Sequence, residues 1–280
     1  MPELPEVEAV KEGLNQLIRH KTIQSVDVLW DNLILGDSTR FKQMLVNQQI
    51  ETIGRRGKFL IINLTDFQLI SHLRMEGKYD YYRTEIPSSK HNHVFFHFID
   101  GTSLVYNDVR KFGRLQLVNK GMALEQPNLR KLGPEPLGDA FTLNYFIHAL
   151  KKSRGLLKPV LLAQNIVVGL GNIYVDESLW QAQLHPKRAA NQLTNKEYQR
   201  LHQAIISVLS LAVEMGGSTI RTYKNALGEA GQFQQHLHVY GRTGLPCDRC
   251  GQPIEKIKLN GRGTHFCPRC QSLNNDFLDS

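Results

Sequence analysis

Near the start of the chain the apolar residues Val7, Val10, Leu14, Leu17 and Ile18 recur at three-to-four spacing, which predicts an amphipathic helix. Pro5 suits its first turn, and Glu6 and Glu8 lie where the positive helix end favours acids. The texture then changes to short β-branched and aromatic runs: "IQSVDVLW", "IGRRGKFLIINL", "FQLISHLRMEGKYDYY", "HVFFHFIDGTSLVYND" and "GRLQLV". Asp100-Gly101 marks a hairpin, so residues up to about Val118 read as a β-sandwich. "LGPEPLGD" is a hinge, and beyond it "FTLNYFIHALKKS", "KPVLLAQNIV", "NIYVDESLWQAQL" and "NKEYQRLHQAIISVLSLAVEMG" carry helical periodicity. "GGSTIRTYKNALGEAGQFQQ" is polar, Gly-rich and without clear period, and a Cys-containing tail closes the chain.

Composition adds to this picture. At 280 residues the chain has room for two domains and an appendage, and its 41% hydrophobic and 21% charged residues are those of a globular protein. Lys and Arg number 34 against 26 Asp and Glu, a net charge of +8, which favours a polyanion such as nucleic acid. No run approaches the roughly 18 apolar residues of a membrane span, and no basic stretch leads an apolar one, so the expectation is a cytoplasmic protein without export.

Cys247, Cys250, Cys267 and Cys270 form two C-x-x-C pairs with a hairpin-sized interval between them. Four thiolates suit one tetrahedral zinc ion in a structural role, since they leave no open position. Two disulfides or buried reduced thiols would use the same residues; the confinement of all four to one tail without an export signal favours zinc. Arg262 lies between Gly261 and Gly263 in a basic hairpin, which favours a phosphate contact over a merely solvated charge. In "VVGLGNIYVDE" the third glycine of a dinucleotide fingerprint would fall at Tyr174, so Gly169 and Gly171 read better as a bend, with Asn172 capping the next helix. Such a helix start suits a DNA phosphate, or it only packs the core.

If Met1 is trimmed, Pro2 presents an amine. An α-amino group has a pKa near 8 and lysine one near 10.4, so at pH 7 about a tenth of the first and about 0.04% of the second is neutral. The terminus is thus the better amine nucleophile, able to attack a sugar C1′ as an iminium-forming group, with Glu3 to shuttle protons and Glu6 to orient it. Local sequence equally allows these acids simply to serve the helix end.

Taken together, "PELPEVE", "RRGK" at 55–58, "SHLRMEGKY" at 71–79, "DVRKFG" at 108–113, "GLGNIYVDE" at 169–177, "GGSTIRTY" at 216–223 and "GRGTHFCPRC" at 261–270 resemble the bacterial formamidopyrimidine-DNA glycosylases across essentially the whole chain. The resemblance implies a multidomain α+β protein. Its parts would be an N-terminal β-sandwich with an N-terminal helix (2–133), a helix-two-turns-helix domain (134–237) with a lesion-recognition loop at 216–236, and a zinc-finger β-hairpin (238–272). It implies a base-excision-repair enzyme that removes 8-oxoguanine and formamidopyrimidines from duplex DNA and then acts as a lyase on the abasic site. Pro2 would form the Schiff base, Glu3 act as acid and base, Lys58 assist β-elimination, and Arg262 serve δ-elimination and hold phosphate. Further phosphate contacts carry over to His93, Arg110 and Asn172. Met75, Arg110 and Phe112 would fill the void left by a flipped base. Glu76, Ser218, Ile220, Arg221, Thr222 and Tyr223 would lie near that base. One structural zinc, no catalytic metal or organic cofactor, a monomer, a bacterial cytoplasm and nucleoid association through DNA complete the expectation. Ala163 departs from the family, many of whose members carry an acid there. The alternatives are an endonuclease VIII-like enzyme for oxidised pyrimidines and a non-catalytic zinc-finger DNA-binding protein.

Overall fold

In the computed structural model, which describes residues 2–218 and 230–273, the first apolar stripe becomes helix α1 (Leu4–Ile18), with Val7, Val10, Leu14 and Ile18 buried. Pro5 stands in its first turn, where a missing N–H breaks no helical bond. Asn15 pins this helix to the sheet beneath it: its Nδ2 donates to the Ile53 carbonyl at 2.8 Å and its Oδ1 accepts the Ile53 N–H at 3.0 Å.

The β-rich runs form eight strands: β1 (Ile23–Val28), β2 (Ile50–Arg56), β3 (Phe59–Leu64), β4 (Phe67–His72), β5 (Lys78–Tyr82), β6 (Asn92–Phe98), β7 (Ser103–Asn107) and β8 (Arg114–Asn119). They pair antiparallel into two four-stranded sheets, ordered β1-β6-β7-β5 and β2-β3-β4-β8. Val26, Phe96, Phe98 and Leu104 of one sheet, Leu60, Ile62, Leu64 and Leu69 of the other, and the α1 stripe share one core, as the expected sandwich requires. Asp100-Gly101 does turn the chain between β6 and β7, Gly101 having φ +83°. The strand texture concealed one helix, α2 (Ser38–Leu45), capped by the Asp37 carboxylate accepting the Arg40 N–H at 2.9 Å. It buries only Phe41 and Leu45, an i,i+4 pair too short to register as a period.

After a single turn, α3 (Pro127–Arg130), the helical stretch comprises α4 (Leu143–Lys151), α5 (Leu157–Leu162), α6 (Asn172–Gln181) and α7 (Asn195–Glu214). Helix α5 is shorter than its apolar pattern because Gln164 takes φ +65° and turns the chain away. Helix α6 is buried from Ile173 to Trp180, a helix enclosed on all sides. The tail hairpin consists of β9 (Glu255–Leu259) and β10 (Arg262–Phe266), joined by Asn260-Gly261 with φ of +45° and +75°, the two-residue turn that favours Asn-Gly. Arg262 is therefore the first residue of β10, paired with Leu259, rather than the turn itself.

The chain groups into two compact units. The first holds residues up to Arg130 with the described part of Met215–Gln232; the second holds Lys131–Glu214 and the residues from Phe233 onward. The Cys-containing tail thus shares a unit with α4–α7, and the glycines at 216 and 217 belong with the sandwich. No helix among the described residues is long and apolar enough to cross a membrane.

Candidate active site and nucleic-acid interface

The head of α1 is built around carboxylates. Glu3, the N-cap, and Glu6, one turn on, are 2% and 3% exposed. Glu6 Oε2 accepts the Glu3 N–H at 2.8 Å, while its Oε1 accepts the Ser218 N–H at 2.7 Å and the Ser218 hydroxyl at 3.1 Å. One buried carboxylate thus fixes the peptide next to Pro2 and a segment 212 residues away. Gly217 makes the approach possible: it has φ +82°, and a Cβ there would lie 2.7 Å from Glu6 Oε1. Pro2 itself is buried.

Lys58 occupies the turn between β2 and β3 beside Gly57, whose φ is +57°, and is 7% exposed. Two residues that sequence reasoning passed over support this turn. Arg55 donates from Nη1 to the Gly57 carbonyl at 2.9 Å and from Nε to Glu8 Oε2 at 2.6 Å, tying the turn to α1. Burial works to raise the Glu8 carboxyl, but its bonds to Arg55 and Lys11 outweigh that and hold it below the ordinary value. Across the β3–β4 ladder from Phe59, His72 sits edge-on to that ring at 4.4 Å and accepts the Arg74 N–H on Nδ1 at 2.9 Å.

Burial, with the Arg74 and Lys58 charges, pushes His72 down to about 3, so it is neutral at physiological pH and adds no charge beside Lys58. A depressed histidine has a definite consequence for stability. Between about pH 6.5 and 3 the unfolded chain binds the proton and the folded one does not, so stability is lost as pH falls through this window. The slope from one such group is at most about 1.4 kcal/mol per pH unit. Urea unfolding of His72→Asn at stepped pH should show a shallower acid loss than the parent; an equal slope would count against the buried neutral ring.

Met75 and Glu76 lie half-buried in the β4–β5 turn, and Arg110 and Phe112 are exposed in the β7–β8 loop. Asp108, fully buried, organises that loop: Oδ1 accepts the Arg110 N–H at 2.9 Å and Oδ2 the Gly113 N–H at 2.8 Å. Lys111 takes φ +56°, and its ammonium sits 3.9 Å from the Trp30 ring centroid. The Arg110 guanidinium packs 4.7 Å from the Phe112 ring, which is 47% exposed. The two turns converge on one buried side chain, Tyr106: Cβ atoms at Gly77 and Gly113 would fall 2.2 and 1.7 Å from its hydroxyl oxygen. Gly113→Ala is therefore expected to destabilise the protein by about 1–3 kcal/mol, measured by thermal or urea unfolding. Tyr106→Phe in the same chain should recover part of the loss.

His93 is buried, with Nε2 2.8 Å from the Asp108 carbonyl. A carbonyl only accepts, so Nε2 carries the proton, and a phosphate contact from this ring would have to come from Nδ1 of the imidazolium. Of the residues expected near a flipped base, Ser218 lies hydrogen-bonded to Glu6, and Ile220, Arg221, Thr222 and Tyr223 lie outside the described residues.

In the second unit, Gly171 rather than Asn172 is the N-cap of α6, and Asn172 is the first helical residue. Its side chain is turned to another task, Nδ2 donating to the Gly263 carbonyl at 2.9 Å, while Oδ1 is buried with no hydrogen-bond partner among the described residues. The bend before it is held by Gln164, whose Oε1 accepts the Gly169 N–H at 2.8 Å and whose Nε2 donates to the Leu170 carbonyl at 2.6 Å. Buried Lys158 donates to the same Gly263 carbonyl at 2.9 Å and to Asp176 Oδ1 at 2.7 Å; Asp176 Oδ2 accepts the His265 N–H at 2.9 Å. Exposed Arg262 is thereby presented from a hairpin whose next peptide is held by two donors. A lysine inside "LLKPVLL" gives no sequence signal of this role.

The four cysteines are unpaired by disulfides, and their sulfurs all lie within 4.8 Å of one another, with Cys250–Cys267 at 3.5 Å and Cys247–Cys270 at 3.9 Å. A tetrahedron with zinc–sulfur bonds of about 2.3 Å has edges of about 3.8 Å, so the set fits one structural zinc ion.

Three family models match this chain: the formamidopyrimidine-DNA glycosylase N-terminal domain over residues 1–115, the formamidopyrimidine-DNA glycosylase H2TH domain over 132–224, and the zinc finger found in FPG and IleRS over 244–273. The formamidopyrimidine-DNA glycosylase of Enterococcus faecalis is 56% identical over 274 residues, covering 98% of each chain. That of Streptococcus pneumoniae is 54% identical, covering 97% of this chain and 99% of its own. Among solved structures, wild-type Lactococcus lactis Fpg bound to DNA containing N7-benzyl-Fapy-dG is similar with a TM-score of 0.92 and 46% identity, covering 97% of this chain and 100% of that one. The same enzyme with DNA containing an abasic site gives a TM-score of 0.92, with 96% and 99% covered.

Proposed function

This chain belongs to the formamidopyrimidine-DNA glycosylase family, and from that premise we propose how its own residues carry the reaction. It is a base-excision-repair enzyme acting on oxidised purines in duplex DNA, a glycosylase that also cleaves at the abasic site. The observation that carries the assignment of residues is the buried start of α1, where Pro2 adjoins two buried glutamates, the Glu6 carboxylate accepting the Glu3 backbone N–H.

With Met1 removed, the Pro2 nitrogen attacks C1′ as the bond to the damaged base breaks, and the base leaves with a proton. Loss of the amine proton and opening of the C1′–O4′ bond, with a proton passed to O4′, then leave an open-chain iminium that acidifies the C2′ proton; removal of that proton expels the 3′ phosphate, and a further elimination expels the 5′ phosphate. Glu3 moves protons at the sugar, and Glu6 holds the adjoining peptide in place through its Glu3 bond. Lys58, kept in the β2–β3 turn by Arg55, supports β-elimination. Arg262 contacts phosphate and serves the second elimination. Arg110 pairs with the base left behind, while Met75 and exposed Phe112 take over its stacking. His93 contributes at least by holding the Asp108 carbonyl, and Asn172 by holding that of Gly263. The four-cysteine zinc gives the Arg262 hairpin its shape and supplies no catalytic step. The reading places the enzyme in a bacterial cytoplasm.

Single-turnover excision from matched duplexes tests the substrate class. Release of 8-oxoguanine should exceed that of thymine glycol by at least about tenfold, the scale set by a few pocket contacts. A reversed ratio would favour the pyrimidine-directed alternative. An intact mass retaining Met1 would block the amine and favour a DNA-binding protein without catalysis.

A further inference from the structure

We infer that Trp180 is an outer-sphere partner of the zinc site, whose indole N–H secures the Cys247 thiolate and slows loss of the metal. Trp180 ends the buried run of α6 and is 6% exposed. Its Nε1 lies 3.4 Å from Cys247 Sγ. An indole has one donor and no acceptor, so that hydrogen bond commits its whole polar capacity to the sulfur. A hydrogen bond to a charged thiolate is strengthened by the charge, and it draws electron density from the lone pairs that a proton or an oxidant would otherwise attack.

The ring is locked in this position. The His238 imidazole stacks on it with centroids 4.0 Å apart and planes 13° from parallel, and the Arg249 guanidinium lies 3.8 Å from its centroid. Two groups that close to one centroid cannot share a face, so the indole is sandwiched. Each neighbour is itself fixed. His238 donates its backbone N–H to Glu177 Oε2 at 2.9 Å and places its ring Nδ1 2.7 Å from Asp248 Oδ2. Arg249 donates to the carbonyls of Trp180 and Gln181 at 2.6 and 3.2 Å, at the negative end of α6. Asp248 and Arg249 are the two residues inside the first C-x-x-C pair. The knuckle therefore closes over the indole from both sides while one of its sulfurs accepts the N–H. Ordinary packing would need the ring, but not a donor aimed at a ligand sulfur.

The inference rests on the zinc assignment, which metal analysis of the purified chain tests separately. In the full-length protein, Trp180→Phe keeps a smaller aromatic ring between His238 and Arg249 and removes the donor. Zinc release to a metallochromic chelator should become about tenfold faster, the lower end for loss of an outer-sphere partner. After Co2+ substitution, the sulfur-to-cobalt charge-transfer band should move to lower energy because the thiolate lone pairs are no longer stabilised, while the tetrahedral d–d bands keep their intensity. Unchanged release with an unmoved band would overturn the proposal. Wild-type protein loaded with 113Cd supplies an arm independent of folding in the variant. A scalar coupling between 113Cd and the Trp180 indole proton is expected across the N–H···S bond, and its absence would overturn the proposal.

Discussion

Pro2→Gly should reduce excision of 8-oxoguanine by at least about 100-fold, the scale on which loss of one positioned reactive group is felt, and reduce the borohydride-trapped protein–DNA adduct with it. The glycine variant still begins with an amine at the same place, which makes it an informative replacement. A secondary amine condenses to an iminium that has no N–H proton to lose and stays cationic at every pH. The primary amine of glycine gives an imine that is an electron sink only while protonated. The variant also loses the pyrrolidine ring that ties the amine nitrogen to its own side chain just before the Glu3 N-cap, so the nucleophile is less well aimed. An adduct formed equally by the parent and the glycine variant would remove Pro2 from the role of nucleophile.

Withdrawal of zinc is the second large effect expected. The matched zinc-finger segment, residues 244–273, is far below the length at which a chain builds its own core. Apart from its cysteines, its apolar cluster contains only Trp180, Val239 and Ile254 among the described residues. In zinc-finger peptides metal binding supplies apparent free energies of about 10–16 kcal/mol, so most of the stability of this hairpin resides in the metal. Without it, β9 and β10 should lose their pairing, and the bonds from Lys158 and Asn172 to the Gly263 carbonyl cannot by themselves hold Arg262. DNA titrations over a range of salt concentrations should show affinity reduced at least about tenfold, with a shallower salt dependence as basic residues cease to meet phosphate. Adding zinc back should restore both. Undiminished binding by the metal-free chain would place the DNA contacts elsewhere.

Much of the fold was legible because it is written locally. The α1 stripe, the alternating strand runs, the Asp100-Gly101 turn and the paired cysteines each depend on residues a few positions apart, and each appears where the pattern places it. Helix α2 escaped because two buried side chains do not make a period, and α5 ended early because Gln164 left the helical region. Residue type alone makes Asn172 a cap, whereas the cap is Gly171 and the Asn172 amide reaches 91 residues onward to Gly263.

The candidate site divides along the same line. Motif order named Pro2, Glu3, Lys58, Arg262 and the cysteines, since those residue types carry chemistry that a sequence can display. Their supports were invisible: Arg55 with Glu8, Asp108 beneath Arg110, Tyr106 between two glycines, Lys158 under the hairpin, and Trp180 against a ligand sulfur.

By itself, then, the amino-acid sequence displayed most of the elements, four cysteines spaced for one metal ion and a second-position proline with acids beside it. Tertiary structure decided what holds those groups in place, above all that Glu6 spends one oxygen on the Glu3 peptide and the other on Ser218. The physical reason is that periodicity and spacing encode interactions within a few residues. A buried carboxylate must instead find its donors wherever the folded chain brings N–H and O–H groups within about 3 Å, and no local pattern records that meeting.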